Sequence, residues 1–520
     1  MTTMNLKLSR VLRNPQNCQK TKRNYHLRHC NERLTLFVFL LTTAFWLGIN
    51  PISGLAQETH NNYVWPTDTL VLQKLHHWQG EKFGLLMHWG TYSEWGIVES
   101  WSLCPEDEGW TKRTGKYADD YFTYKKAYEH LQTTFNPVDF NPDKWASAAK
   151  AAGMKYVVFT TKHHDGFCMF DTKQTDYKVT SSKTPFSSNP KANIAKEVFS
   201  SFRKQGFMIG AYFSKPDWHV PYYWWPYFPP KDRNVNYDPA KHPDVWNKFK
   251  QFTYNQIQEL MTGYGPMDIL WLDGGWVRPY TEKEQKEQHI FNQDIDMPGI
   301  AAMARKNQPG LIVVDRAVGG PYENYQTPEQ QVPDKPLDHP WESCMTMGNS
   351  WSYVPGDHYK PTNTLIHLLI RIVSRGGNFL LNIGPSPKGD WSDTAYARLN
   401  EIGKWMKING SAIYDSKPIA PYEKDNLVFT QSEDGKVAYI FILTDEKNTG
   451  GNLQVPASIT LPSGFVKPGS KITVLGQPAW KAILDGKAGG KTEGITDKLR
   501  IKQKGGSAIQ YALVLKIVNP

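Results

Sequence analysis

The architecture of the chain can be read from Met267-Asp268-Ile269-Leu270-Trp271-Leu272-Asp273-Gly274-Gly275. An apolar run ends abruptly in an acid and two glycines. A run of this length bounded by turn residues reads as a buried strand. A carboxylate at the carboxyl end of such a strand points into the mouth of a sheet or barrel, where α/β folds keep their chemistry. The glycines let the backbone turn away at once and leave room for something to approach Asp273. A lone Asp in this position could simply cap the turn, but the pattern recurs along the chain.

Phe83–Met87 runs into His88-Trp89-Gly90, and Lys155–Lys162 closes in His163-His164-Asp165-Gly166. Phe207–Ser214 carries Tyr212. Leu311–Val314 ends in Asp315-Arg316, and Asn378–Ile383 is closed by Gly384-Pro385. Helical patterns lie between them, over 143–152, 193–205, 243–262, 300–307, 362–375 and 393–408; Gly153 and Gly206 stand where C-terminal caps belong. With weak strands near 95–102 and 341–347, the alternation fits an α/β fold, a (β/α)8-like barrel with scope for irregularity, better than an open sheet. After about residue 418 the texture changes to short β-branched or aromatic segments separated by Gly, Pro, Asn and Asp, which reads as a β-sandwich. The expected division is a leader over 1–56, a catalytic barrel over 57–417 and a C-terminal β-sandwich over 418–520.

The formal charge of +10 misleads. Residues 1–56 carry a net +7, leaving +3 for the rest, so a basic surface for nucleic acid is not supported. The leader has a basic stretch to Arg33, an apolar run Leu34–Ile49 and small residues before Gln57. This is the layout of a secretory signal cleaved after Ala56. Retention as an anchor is the alternative, disfavoured because the run is short for a membrane span. The expectation is an exported protein, periplasmic or extracellular, or in a lysosome-like compartment, with no stable membrane association after cleavage. Beyond the leader only Cys104, Cys168 and Cys344 remain. No CxxC pair marks a thiol zinc site; one disulfide is open, with no partners indicated.

In a barrel, His88, His163, His164, Tyr212, Asp273 and Arg316 converge on one mouth. Singly each has a bland reading; a strand-end histidine is more often structural. His163-His164 invites a metal reading, but neighbouring strand residues point to opposite faces, so both reach one ion only if the strand has already ended. Without HExxH or a further carboxylate cluster, hydroxyl recognition ranks above metal binding.

The stretches FGLLMHWG (83–90), KYVVFTTKHHDGF (155–167), GAYFSKPDW (210–218), WLDGGW (271–276), VDRAVG (314–319) and RGGNFLLNIGP (375–385) resemble, in consistent order over residues 65–415, the retaining α-L-fucosidases of glycoside hydrolase family 29. The resemblance implies an exo-acting fucosidase that releases terminal L-fucose from a fucosylated glycan, a barrel followed by a β-sandwich, and no cofactor. It makes Asp273 the nucleophile and lines the fucose pocket with His88, Trp101, His163, His164, Tyr212, Trp271 and Arg316, with Trp351 against the sugar's methyl group. For the general acid/base it offers Glu329 in Thr-Pro-Glu-Gln, preferred because it follows the Asp-Arg strand in a loop, and Glu342 in Trp-Glu-Ser as the alternative. Competing readings are a non-catalytic sugar-binding protein on the same scaffold and, more weakly, a metal hydrolase built on His163 and His164. The aromatic stretch Trp218–Tyr237 is expected over the mouth, its rings either a platform for the leaving group or anchors for the loop.

Overall fold

The computed structural model describes residues 63–109, 111–445, 453–462, 465–467, 469–484, 498–504 and 509–520. The leader and its cleavage point lie outside them. Among the described residues no helix is long and apolar enough to cross a membrane.

Seven strands form one sheet: β1 (Phe83–Met87), β2 (Tyr156–Lys162), β3 (Met208–Ser214), β4 (Ile269–Asp273), β5 (Ile312–Asp315), β6 (Glu342–Thr346) and β7 (Asn378–Asn382). Their order is β5-β4-β3-β2-β1-β7-β6, and every pairing is parallel. Both faces are covered, which is why the strands read as continuous apolar runs rather than alternating ones. One face packs under helices. The other encloses an interior layer of Leu86, Tyr156, Val158, Tyr212, Ile269, Trp271, Val314, Cys344 and Leu380.

The edges β5 and β6 are not laddered to each other. The chain after β5 links them instead. Asp315 N–H donates to the Tyr322 carbonyl (2.9 Å) and Asn324 N–H to that of Val313 (2.9 Å). Further on, Glu342 N–H donates to the Gln326 carbonyl (2.8 Å) and Gln330 N–H to that of Cys344 (3.0 Å). Isolated bridges pair Gln326 with Trp341 and Glu329 with Cys344. An irregular segment thus stands where a regular barrel has its eighth strand, and it carries Glu329.

The helices obey local chemistry. Ile194–Lys204 buries Ile194, Val198 and Phe202, one stripe at a spacing of four. Its N-terminus is capped by the Asn193 side chain, and Gly206 follows with a φ of +82°. The weak strand expected near 95–102 is absent: short 3-10 turns occupy Thr91–Glu94 and Trp101–Leu103. The weak strand near 341–347 is β6. All three described cysteines are free and buried, so none of them forms the disulfide left open above.

The C-terminal part contains β8 (Ser416–Lys424), β9 (Leu427–Ser432), β10 (Val437–Leu443), β11 (Ser458–Thr460), β12 (Lys471–Val474), β13 (Lys481–Leu484), β14 (Lys498–Lys502) and β15 (Ala512–Val518). They form two antiparallel sheets, β12-β15-β10-β9-β8 and β11-β14-β13. Phe429, Ile440, Leu515, Ile459, Leu499 and Ile501 share the core between them. The opposite face of the larger sheet, with Val428, Phe441 and Val514, joins the core of the barrel. β8, β13 and β14 are mixed with charged residues, which hid them from a reading by apolar runs.

Candidate active site

Side chains alternate along a strand, so residues two apart share a face. Leu86 therefore puts His88 on the interior side, Val314 puts Arg316 there, and Trp271 does the same for Asp273. Gly274 takes a φ of +93°, a left-handed conformation open to glycine. A Cβ on Gly275 would lie 2.7 Å from the Arg316 carbonyl oxygen. The room beside Asp273 is thus filled by the protein's own Arg316 turn.

Asp273 is the hub. Arg316 Nη1 donates to Oδ1 at 2.9 Å, Gly274 N–H to the same oxygen at 2.9 Å, and the Tyr212 hydroxyl to Oδ2 at 2.6 Å. Burial pushes this carboxyl pKa up, but the Arg316 charge, the Tyr212 hydroxyl and the Gly274 N–H outweigh it and hold it well below the usual carboxylate range. Arg316 reaches two acids at once: Nη2 donates to Glu329 Oε2 at 2.8 Å, while Nε donates to Thr327 Oγ1 at 2.9 Å. Its guanidinium lies 4.3 Å above the Trp271 ring. The side chain of Asp273 is 16% exposed and that of Glu329 35%.

The histidines stand on the other side. β2 ends at Lys162, so His163 and His164 both lie past the strand and their rings sit 4.2 Å apart. The condition for both to reach one site is met. His163 Nδ1 bonds the Ser100 hydroxyl. His164 Nε2 is 3.7 Å from Asp273 Oδ2, and neither of its ring nitrogens has a hydrogen-bond partner among the described residues. His88 Nδ1 bonds Asn382 Oδ1 at 2.9 Å. Burial lowers all three: His88 to about 4, His164 to about 3, and His163 well below the ordinary value. They are neutral imidazoles, each able to donate and accept.

Aromatic rings wall the pocket. Trp101 meets His164 edge-on at 5.0 Å, Trp276 does so at 5.2 Å, and Trp351 lies 5.3 Å from His88. Trp271, stacked 5.2 Å from Tyr212, is a floor below Arg316. All the residues expected in the pocket from the sequence are therefore in one network. Glu342 stands apart from it in depth. It opens β6, is fully buried, and accepts from the Tyr156 hydroxyl (2.6 Å) and Trp271 Nε1 (3.3 Å). Burial raises its pKa to about 7.

His163, His164 and Asp273 offer three possible metal-ligand atoms within 4.8 Å of one another. The same Asp273 oxygens already face a guanidinium, a hydroxyl and an N–H, donors that compete with a cation.

Sequence reasoning missed Asn382, Ser100, Thr327, Trp276 and Arg233. Asn382 closes its strand as the other site residues close theirs, so that pattern could have found it. Ser100 and Arg233 lie in irregular loops with no such signal. The Trp218–Tyr237 loop is chiefly self-anchored: Trp224 is buried, stacks on Trp218 at 4.9 Å and donates to the Asn234 carbonyl, while Tyr227 is 79% exposed.

A barrel mouth holding two carboxylates on one arginine, among neutral imidazoles and aromatic rings, has the equipment of a glycoside hydrolase. The α-L-fucosidase family model matches residues 52–411, and the chain belongs to that family as a glycoside hydrolase. It is 29% identical over 450 residues to the tissue α-L-fucosidase of Rattus norvegicus, covering 81% of this chain and 86% of the relative. The Bos taurus tissue enzyme is 30% identical over 399 residues, 73% of this chain and 76% of its own. The solved structure of α-L-fucosidase isoenzyme 1 from Paenibacillus thiaminolyticus superposes with a TM-score of 0.66 at 28% identity, covering 86% of this chain and 99% of that one.

Proposed function

We propose that the protein is an exported, exo-acting, retaining α-L-fucosidase that releases terminal L-fucose from glycans by double displacement. The observation that carries the reading is the single guanidinium of Arg316 bonded to both Asp273 and Glu329. A double displacement uses two carboxyls roughly 5–5.5 Å apart, and two acids on adjacent nitrogens of one arginine are held close.

Asp273 is the nucleophile. Its carboxylate is kept ionised and oriented by Arg316, Tyr212 and Gly274, and it attacks the anomeric carbon to form a covalent fucosyl-enzyme. Glu329 is the acid/base. It protonates the leaving oxygen, and its exposure gives access to the water that it then deprotonates to release fucose. Glu342 is unsuited to this task, because it sits at the floor below Trp271. His88, His163 and His164 bind sugar hydroxyls, and His164 in particular has both ring nitrogens unspent in a buried setting where a polar group needs a partner. Trp101 and Trp351 flank the ring. No step calls on a cofactor.

The test follows an aryl α-L-fucoside by NMR and treats the enzyme with a 2-fluoro fucosyl fluoride. Retention predicts α-L-fucose as the first product and a fucosyl adduct on the peptide containing Asp273. The β-anomer appearing first, or an adduct elsewhere, overturns the mechanism; no hydrolysis and no binding of L-fucose overturns the function.

A further inference from the structure

Arg233 belongs to the loop after β3 and lies outside the set of residues used above. Its backbone carbonyl accepts from Trp218 Nε1 (3.3 Å), Trp276 Nε1 (3.0 Å) and the Tyr223 hydroxyl (3.0 Å). Its guanidinium lies 5.2 Å from the Trp101 ring centre and 5.4 Å from that of Trp276. The same guanidinium is tied to the loop after β1: Nε donates to Glu106 Oε2 at 3.3 Å and Nη2 to Asp107 Oδ1 at 3.2 Å. The arginine side chain is 19% exposed and Asp107 8%, so the pair is only lightly screened by solvent. Three loops, after β1, β3 and β4, therefore meet on one residue. Both indoles it touches pack against His164, beside Asp273, as Trp218 also does.

We propose that Arg233 is a positioning residue of the fucose pocket: clamped by Glu106 and Asp107, its guanidinium holds Trp101 and Trp276 against His164 and so sets how tightly the sugar is bound. A guanidinium suits this task because its flat face lies on aromatic rings while its edge pairs with carboxylates. The task is separable from folding. The carbonyl that collects Trp218, Trp276 and Tyr223 stays when the side chain is changed, so a substitution removes the clamp and leaves the backbone anchor. The two indoles then lose the guanidinium on their faces, with Trp276 keeping its bond to the carbonyl, and move more freely at the sugar's edge. The cluster meets the site through ring packing on His164, so the chemical step is left largely intact. The effect falls on binding.

The inference rests on the fucosidase reading, and the experiment separates the two. Hydrolysis of an aryl α-L-fucoside and inhibition by free L-fucose are measured for the wild type, Arg233→Gln, Arg233→Lys, Asp107→Asn, and Arg233→Gln combined with Asp107→Asn. A wild type that neither cleaves the fucoside nor binds fucose rejects the fucosidase reading itself. With an active wild type, Arg233→Gln should raise KM and the fucose inhibition constant together by about tenfold, with kcat within about threefold. Arg233→Lys should recover part of the loss, because it keeps the charge without the flat fork. Asp107→Asn should shift KM the same way, and the double variant should lose less than the two single losses combined. Unchanged KM in a folded Arg233→Gln protein overturns the proposal. So does a kcat loss with constant KM, or additivity of the two substitutions. Should Arg233→Gln fail to fold, Arg233→Lys and Asp107→Asn carry the same KM-against-kcat reading.

Discussion

The mouth and the floor of the barrel each hold a glutamate close to the same aromatic-arginine stack, and the two acids live in opposite conditions. At the mouth, Glu329 is 35% exposed and bonded to the Arg316 guanidinium. At the floor, Glu342 is fully buried and accepts from Tyr156 and Trp271. Trp271 separates them, with Arg316 on its upper face. Strand position decides the chemistry here. Glu342 opens β6, at the end opposite Asp273, and is fully buried there, whereas Glu329 lies beside Cys344, two residues further up that strand. Burial lifts the Glu342 carboxyl to about 7 even though the Arg316 charge draws it down.

The largest effect should come from Asp273. Asp273→Ala is expected to lower turnover by about 10⁴-fold or more while Tm changes little, and Asp273→Gly with azide should yield the inverted β-fucosyl azide. Near-normal turnover in either variant would remove Asp273 from the reaction.

Glu329→Gln comes next. Fucosides with poor leaving groups should lose about 10²–10⁴-fold and an activated aryl fucoside far less, because only the former need protonation. Azide should accelerate the second step and give the retained α-fucosyl azide. If leaving-group dependence and azide rescue belong to Glu342→Gln instead, mouth and floor exchange roles.

Glu342→Gln should lower the rates on both substrates alike, by several-fold at most. Its sharper signature is in stability. Burial lifts this carboxyl to about 7, above its unfolded value, so the folded state binds the proton more tightly. The stability it contributes is complete at pH values below the ordinary glutamate range and is lost as pH rises toward about 7. The amide that replaces the acid cannot titrate, so the Tm advantage of the wild type over Glu342→Gln should shrink between pH 5 and pH 8. An advantage that grows over that range would mean that the floor acid is ionised in the fold.

The smallest effect belongs to the rim. Tyr227→Ala removes a side chain that is 79% exposed and should change aryl fucoside hydrolysis by less than about twofold. A selective loss on extended glycans would extend the mouth outward to an aromatic platform at Tyr227, a role that the burial of Trp224 denies to that residue.

The alternation of strands and helices, the strand-end positions of His88, Tyr212, Asp273 and Arg316, and the change of texture that begins the β-sandwich are legible in the residues alone. These follow from local rules: apolar runs buried on both faces, a two-residue period along a strand, and glycine where the backbone must turn. The rest comes from contacts made in space. The segment 323–330 has no strand pattern, yet it links the sheet edges and brings Glu329 to Arg316, because its hydrogen bonds are made with β5 and β6 on either side of it. Glu329 and Glu342 both follow the Asp-Arg strand, and the sequence separates them only by a loop setting for the first and a weak strand for the second. Depth along the barrel separates them, and depth is a property of register between strands. Arg233 was likewise invisible, since its partners come from three loops that meet only in space, and no spacing along the chain records that meeting.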